Sequence, residues 1–319
     1  MRTFGLLPSL LIVLATTLQA QATPPYVPSN PVLASRSPLY VQPIVPAGPG
    51  WRVALVLDYA NAIETATAVD RRKYQLDAEL SQFDIWLGRD LGAEWFGIVN
   101  VPIREVHDGM LDAFLNGYHD LIGLPVPARN RRPKDTYGWT FALPDQSLDI
   151  PRPHGPFLGD VRLGVGRRFG TAQAILTATL PTATTDIGAW SRGTLGVGLD
   201  LGVRLVDSRR VHVDGSVMAG YTPTHGPLAA YQRTAFVGAS AGFWWRVVGQ
   251  QAIYASTLLQ SANWKATGFS AMESAEATLD AGMLLKFGRG WPTVQLGLSE
   301  DLVPRGPAVD VAARIGVLW

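Results

Sequence analysis

His212, Asp214 and Ser216 stand at every second position of one short stretch, so on a β-strand they share a face. Serine, histidine and a carboxylate within reach of one another are the parts of a hydrolase that activates a hydroxyl. The register of the stretch turns that face inward, away from the apolar side, where a lipid-cleaving site would have to open. A second polar set, Asp108, Asp112, Asn116 and His119, falls at helical spacing. One imidazole with carboxylates and an amide is a weak set for a transition metal, and the chain has no cysteine to strengthen it. Gly196-Val197-Gly198 precedes no helical pattern, so it is not a nucleotide-binding loop. No cofactor and no metal are implied. The widest chemical pattern is a set of charges on alternate strand positions, opposite the apolar residues: Arg162, Arg168, Asp200, Arg204, His212, Asp214, Glu276, Asp280, Lys286, Asp310 and Arg314. Such a set lines either a polar pathway or a closed interior of paired charges.

These charges need strands to position them, and the strands are written in period-two patterns. Leu195, Val197, Leu199, Leu201, Val203 and Leu205 form one apolar face, and Ala235, Val237, Ala239, Ala241, Phe243, Trp245 and Val247 another. Val309, Val311, Ala313, Ile315, Val317 and Trp319 form a third, in which the final residue keeps the register. Charged residues are 17% of the 319-residue chain, below the ~25% usual in soluble domains. After the N-terminus no stretch approaches the ~20 apolar residues of a membrane helix. Low charge, alternate apolar positions and many glycines together describe a membrane-spanning barrel. A net charge of +1 gives no drive toward nucleic acid.

Arg2, the apolar run Leu6–Leu18 and the small residues Ala20 and Ala22 read as a secretory signal peptide over residues 1–22. Residues 23–50 are Pro-rich and read as an extended periplasmic segment, a linker reaching at most the barrel mouth. The barrel itself is expected over 51–319. Tyr74, Leu76, Ala78 and Leu80 share one face, then the parity changes to Phe83, Ile85 and Leu87, which predicts a bulge within one long strand over 72–90. Residues 105–157 break the alternation. Met110, Phe114, Tyr118 and Leu121 recur at helical spacing, which predicts a helix over Gly109–Ile122 in a long loop that folds into the mouth and restricts it. A short strand near Tyr137–Leu143 would spoil the even count, so that segment is assigned to the loop. The face of 251–262 stays open, since Tyr254 and Leu258 compete with Ile253 and Leu259.

Short turns near 91, 170, 208, 249 and 289 alternate with longer connections at 61–71, 105–157, 181–192, 222–231, 263–274 and 302–306. That alternation, with an even strand number, predicts an all-β antiparallel up-and-down barrel of about twelve strands, short turns periplasmic and long loops outside. Trp51, Trp95, Trp245, Tyr254, Trp291 and Trp319 fall toward the periplasmic ends, and Tyr59, Tyr221, Tyr231 and Trp264 toward the outer ends, as two interface belts would. Arg71, Arg72, Lys73, Arg129, Arg131, Arg132 and Lys134 fall in outer loops, where they would meet lipopolysaccharide phosphates.

The last strand resembles the closing strand of bacterial outer-membrane barrels. The resemblance implies that Trp319 serves as the signal read by the barrel assembly machinery. Three further stretches resemble a proteobacterial outer-membrane family known only as a domain of unknown function: Leu76-Asp77-Ala78-Glu79, Tyr118-His119-Asp120-Leu121-Ile122-Gly123-Leu124-Pro125 and Leu158-Gly159-Asp160. Ala78 stands where the family pattern has glycine. The resemblance spans roughly 35–319 and brings a fold and a location without an activity. The expected function is therefore a small-solute channel or transport pore in the outer membrane. A closed structural or interaction barrel is the competing reading, and a lipid-active enzyme the third.

Overall fold

The computed structural model describes residues 24–29, 38–109, 117, 136–185, 189–288, 290–302 and 311–319. Its strands are β1 (Trp51–Thr67), β2 (Lys73–Gly92), β3 (Trp95–His107), β4 (Gly138–Ala142), β5 (Ser147–Asp149), β6 (Phe157–Leu158), β7 (Arg162–Phe169), β8 (Ala172–Thr179), β9 (Gly196–Asp207), β10 (Val211–Tyr221), β11 (Ala235–Val248), β12 (Gln251–Gln260), β13 (Glu276–Lys286), β14 (Thr293–Asp301) and β15 (Val311–Leu318). Each of β7 to β15 pairs antiparallel with its neighbours in sequence, β7 also pairs with β3, and β3 with β2. The ring closes where β1 pairs with both β2 and β15. The result is an all-β, closed, antiparallel twelve-stranded barrel. Among the described residues, closure leaves no open strand edge along the ring, which is how a barrel satisfies its ladder groups. At the seam the ladder runs to the last residue, with Trp319 N donating to Val53 O at 2.8 Å and Val53 N to Trp319 O at 3.2 Å.

The wall alternates as the sequence patterns require. Leu163, Val165, Leu176, Val197, Leu199, Leu201, Val217, Val237, Phe243 and Ile315 face out and are exposed, while the residues between them are buried. An apolar outer surface of this extent is incompatible with water contact and suits lipid. No helix of the described residues is long and apolar enough to cross a membrane. Trp51, Trp95, Trp245, Trp291 and Tyr221 are exposed on the outside. Arg89 lies over the Trp51 ring at 5.1 Å and Arg167 over Trp95 at 5.5 Å, both at the short-turn end. Tyr254, Tyr231 and Trp264 are instead buried and belong to the interior rather than to a belt.

Several expectations are corrected. β2 carries no bulge within the predicted run: its register against β1 is continuous from Arg89 to Lys73. The apolar parity changes because the environment does. Tyr74, Leu76, Ala78 and Leu80 face an apolar interior at the long-loop end, whereas Phe83, Ile85 and Leu87 face outward. Within 137–143, Gly138–Ala142 does form a strand, β4, but it pairs with the projecting end of β2 at Tyr74–Asp77, beyond the ring, and so does not alter the count. β12 turns Tyr254 and Leu258 inward, because both pack against other interior groups. The predicted helix over 109–122 lies outside the described residues, apart from Gly109 and Gly117. Among the described residues the loops contain a short helix at Ser270–Glu273 and a 3₁₀ turn at Ala229–Tyr231.

The Pro-rich segment is not a linker at the mouth. Tyr26, Val27, Leu39, Tyr40, Val41, Ile44 and Val45 are all buried. They pack inside the barrel, against Met218, Phe236 and Leu258 on one side and Val56, Trp86, Phe96, Ile98 and Ile175 on the other.

Candidate functional site

The interior of the barrel is the candidate site, and strand parity decides who enters it. On β15, Ala312, Arg314 and Gly316 are the inward set. Arg314 is 5% exposed; its Nε and Nη2 donate to the two Asp58 oxygens at 2.7 and 3.0 Å, and its Nη1 donates to Asp280 at 2.7 Å. Ser299 Oγ completes Asp280 at 2.9 Å. A guanidinium fork matched to two carboxylates satisfies charges that water would otherwise have to solvate. Arg204 grips Asp214 through Nε at 2.8 Å and Nη2 at 3.2 Å. Arg162 donates to Asn100 at 2.8 Å, Asn100 to Asp84 at 2.8 Å, and Gln82 to Asp84 at 2.6 Å. Glu276 accepts from Gln260 at 2.7 Å. Asp200 is buried with no cationic partner among the described residues. Lys286 is half-buried near the short-turn end of β13, and Asp310 lies outside the described residues.

The interior thus brings together Arg162, Arg168, Asp200, Arg204, His212, Asp214, Glu276, Asp280, Lys286 and Arg314 on one continuous inner wall. Sequence reasoning missed Asp58, Asp84, Asn100 and Arg104, which complete it. The available signal was parity: Asp84 stands alone between Phe83 and Ile85, and Asp58 alternates with Leu57 and Tyr59.

His212, Asp214 and Ser216 do share the inner face, yet they form no relay. Asp214 is held by Arg204, the His212 ring stacks on Trp244 with centroids 4.9 Å apart, and Ser216 shares a hydrogen bond with Ser240 at 2.8 Å. Asp108 is paired with Arg152, and Asp112, Asn116 and His119 lie outside the described residues. Among the described residues no three metal-type side chains converge.

Two structures fill the interior. At the long-loop end, Tyr74, Leu76, Leu80, Trp139, Phe141, Phe157, Trp190, Leu228, Trp264, Phe269 and Met272 form one buried apolar cluster drawn from strand ends and several loops. Trp139 meets Trp190 edge-on at 4.9 Å. Arg72 clasps the loops above, donating to Ala142 O at 2.9 Å and Thr267 O at 2.8 Å. Arg192 donates to Thr222 O at 3.0 Å and Arg233 O at 2.6 Å, and burial pulls its guanidinium down to about 10. Arg72 is therefore engaged within the protein, while Arg71 and Lys73 are exposed; Arg129, Arg131, Arg132 and Lys134 lie outside the described residues.

Below this cap runs the N-terminal segment. It turns back on itself, with Tyr26 N donating to Val41 O at 3.0 Å and Val41 N to Tyr26 O at 2.9 Å. Wall glycines make room for it: a Cβ at Gly220 would lie 2.6 Å from Pro38 Cγ, and one at Gly202 would lie 3.3 Å from Ile44 Cδ1. Wall side chains hold its backbone. Val45 N donates to Gln173 at 2.9 Å, Gln173 donates to Pro43 O at 3.1 Å, and Tyr40 shares a hydrogen bond with Thr177 at 3.3 Å. At the short-turn mouth Arg168 donates to Val45 O at 2.7 Å and to Asp90 at 2.6 Å, Arg52 donates to Asp90 at 2.8 Å and to Pro46 O at 3.1 Å, and Gly48 N donates to Asp90 at 3.0 Å.

A model of a family of proteins of unknown function, DUF3187, matches residues 34–319 of the chain. No curated protein matches it. Among solved structures, the COG4313 outer membrane channel from Pseudomonas putida F1 is similar at a TM-score of 0.53 and 11% identity, over 86% of this chain and 97% of that one. The P. putida toluene transporter TodX is similar at a TM-score of 0.42 and 11% identity, over 85% and 89%. At such identities the likeness to the first of these concerns the fold alone.

Proposed function

The chain belongs to the DUF3187 family of proteins of unknown function, and from that premise we propose that it forms a small-solute channel or transport pore of the bacterial outer membrane, stopped in the conformation described. The observation that carries the reading is the direction of the charge pairing inside. Arg314 with Asp58 and Asp280, Arg204 with Asp214, and Arg162 through Asn100 with Asp84 all join neighbouring or next-neighbouring strands. A barrel that serves only as a packed support fills its axis with side chains from opposite walls. Here the wall completes its own pairs laterally and leaves the axis to a separate stretch of chain. Between the apolar cap and the short-turn mouth, a polar wall whose charges pair along it is what a water-filled path requires.

Planar-bilayer recording of the refolded protein tests the reading. Brief openings above a quiet baseline are expected as voltage is raised. Silence of the parent and of variants freed of both stops would overturn it. Carbonate-washed membranes should retain the protein, and recovery as a soluble monomer would remove the membrane reading altogether.

A closed structural barrel is the second reading, and the apolar cap favours it. A lipid-active enzyme is not favoured, because each member of the His212, Asp214 and Ser216 set is engaged elsewhere. The assembly role of Trp319 fits the same picture: its deletion should cut insertion in cells sharply and refolding in detergent far less, with equal losses pointing to packing alone. Outer-loop cations, Arg71 and Lys73 with Arg129, Arg131, Arg132 and Lys134, would contact lipopolysaccharide phosphates. Replacing the second cluster by Gln should lower lipopolysaccharide co-purification, and unchanged co-purification would reject the contact.

A further inference from the structure

We propose that the N-terminal segment described at residues 24–29 and 38–49 is a displaceable stopper, seated in a groove built into the inner wall and latched at the short-turn mouth by Arg52, Asp90 and Arg168. The inference needs the barrel and not the channel reading, so the two can fail separately.

Three observations carry it. First, the segment is independent of the wall ladder. Its described backbone pairs with itself, between Tyr26 and Val41, and every hydrogen bond described between segment and wall involves a side chain. Withdrawal therefore leaves the ring of strands whole. Second, the segment carries no charge in its described part, residues 24–29 and 38–49. Around it Arg314 already pairs with Asp58 and Asp280, and Arg204 with Asp214. None of these ion pairs loses a partner when residues 38–49 leave, and loss of one partner is what makes breaking a buried pair so costly. Third, the groove is shaped for it. Gly198, Gly202 and Gly220 stand where Pro38 and Ile44 approach the wall, and a side chain at Gly220 would collide with Pro38. Prolines 38, 43, 46 and 49 keep the chain extended, so little order is lost when it seats and little gained when it leaves.

The latch is where charge holds the segment most densely; further in, Ile44 N donates to Asp214 at 3.4 Å and Arg314 lies over the Tyr26 ring at 4.6 Å. Arg168 is 7% exposed in its side chain and Asp90 21%, and between them they bind Val45 O, Pro46 O and Gly48 N. The contacts sit where the segment joins β1, at the mouth through which it would leave.

The chain has no cysteine, so one introduced thiol reports alone. In proteoliposomes, Ser216→Cys places it on the inner wall beneath the segment, and a small charged methanethiosulfonate reagent is applied from the short-turn side. Slow labelling is expected in the parent background, and labelling at least ten times faster with Arg168→Gln or Asp90→Asn. Bridging Ile44→Cys to Gly202→Cys with a short bis-thiol reagent, in a chain carrying only that pair, should abolish any voltage-driven opening until the bridge is cleaved. Equal labelling in the parent, Arg168→Gln and a variant lacking residues 24–49 would overturn the proposal. Should the deletion fail to fold, equal labelling in the parent and both latch variants overturns it alone. Faster labelling with no conductance even when Trp139→Ala/Trp190→Ala also opens the cap would keep the stopper and reject the channel.

Discussion

At the long-loop end the interior is stopped by Trp139, Phe141, Trp190, Trp264, Phe269 and Met272, and at the other by residues 38–49, an uncharged, proline-rich stretch gripped through its backbone. The cap is made of strand ends and loops that cannot leave. It opens only by exposing aromatic surface, at about 1.5–3 kcal/mol for each large apolar side chain. The segment is tethered at one point and satisfied mostly by side-chain contacts to its carbonyls and amides. Its exit trades those contacts for water at a net ~0.5–1.5 kcal/mol apiece, together with the apolar burial of Leu39, Tyr40 and Val41. One stop is a packing problem and the other a recognition problem. They should respond to different mutations and different salts.

The largest effect should come from the wall that both stops rest on. Asp280→Asn or Asp58→Asn leaves Arg314 buried with half its partners, and loss of a buried partner costs about 3–5 kcal/mol. Heat-dependent gel mobility of the barrel should reveal a clear drop in stability. A drop no larger than for a surface Asp would mean that water, and not Asp58 and Asp280, solvates Arg314.

Next in size is the cap. Trp190→Ala or Phe141→Ala should cost about 3–5 kcal/mol locally, read as faster proteolysis of the loops at 143–156 and 261–275. Labelling of Ser216→Cys from the short-turn side should not change. If it accelerates as well, the two stops are one body and the contrast fails. A smaller effect belongs to the latch. Its groups are partly exposed, so raising salt from low to physiological strength, where the Debye length is ~8 Å, should speed labelling in the parent and leave Arg168→Gln nearly unaffected.

The smallest effect concerns Glu273. Burial pushes its carboxyl up, but hydrogen bonds from Thr267 Oγ1 and Gly268 N, both at 2.7 Å, outweigh that and hold it below the ordinary 4.5. A lowered folded-state value means the contribution is present above the unfolded value and lost as pH falls through the folded one. Cap proteolysis should therefore rise below about pH 4, and Glu273→Gln should show that rise already at neutral pH. A flat pH profile would remove Glu273 from the cap.

The strands were legible in the sequence because lipid on one side and a polar wall on the other enforce period two, which β9 follows from Gly196 to Val203 and β15 from Val311 to Gly316. Legibility failed where that contrast disappears. Tyr74, Leu76 and Leu80 are apolar and inward because the cap, rather than water, meets them; the pattern alone gave a bulge. Tyr254 and Leu258 were ambiguous for the same reason, each facing an interior that is locally apolar. The charged inner wall could be read from residues such as Arg314 and Asp280, but its completing members Asp58 and Asn100 carry no signal beyond parity. The stopper was least legible. Proline-rich composition says that a stretch is extended and does not say what surrounds it, and nothing in the types of Gly198, Gly202 and Gly220 names the occupant that Pro38 and Ile44 provide.

The central claim is that the paired-charge interior is a solute path with two independent stops in series. The most direct test is osmotic swelling of proteoliposomes with a small uncharged sugar, compared among the parent, the variant lacking residues 24–49, the cap variant Trp139→Ala/Trp190→Ala, and the combination. The account predicts slow swelling for the first three and swelling at least tenfold faster for the combination. Fast swelling on removal of the segment alone would show that the cap is no barrier, and no swelling from a folded combination would show that the interior is not a path.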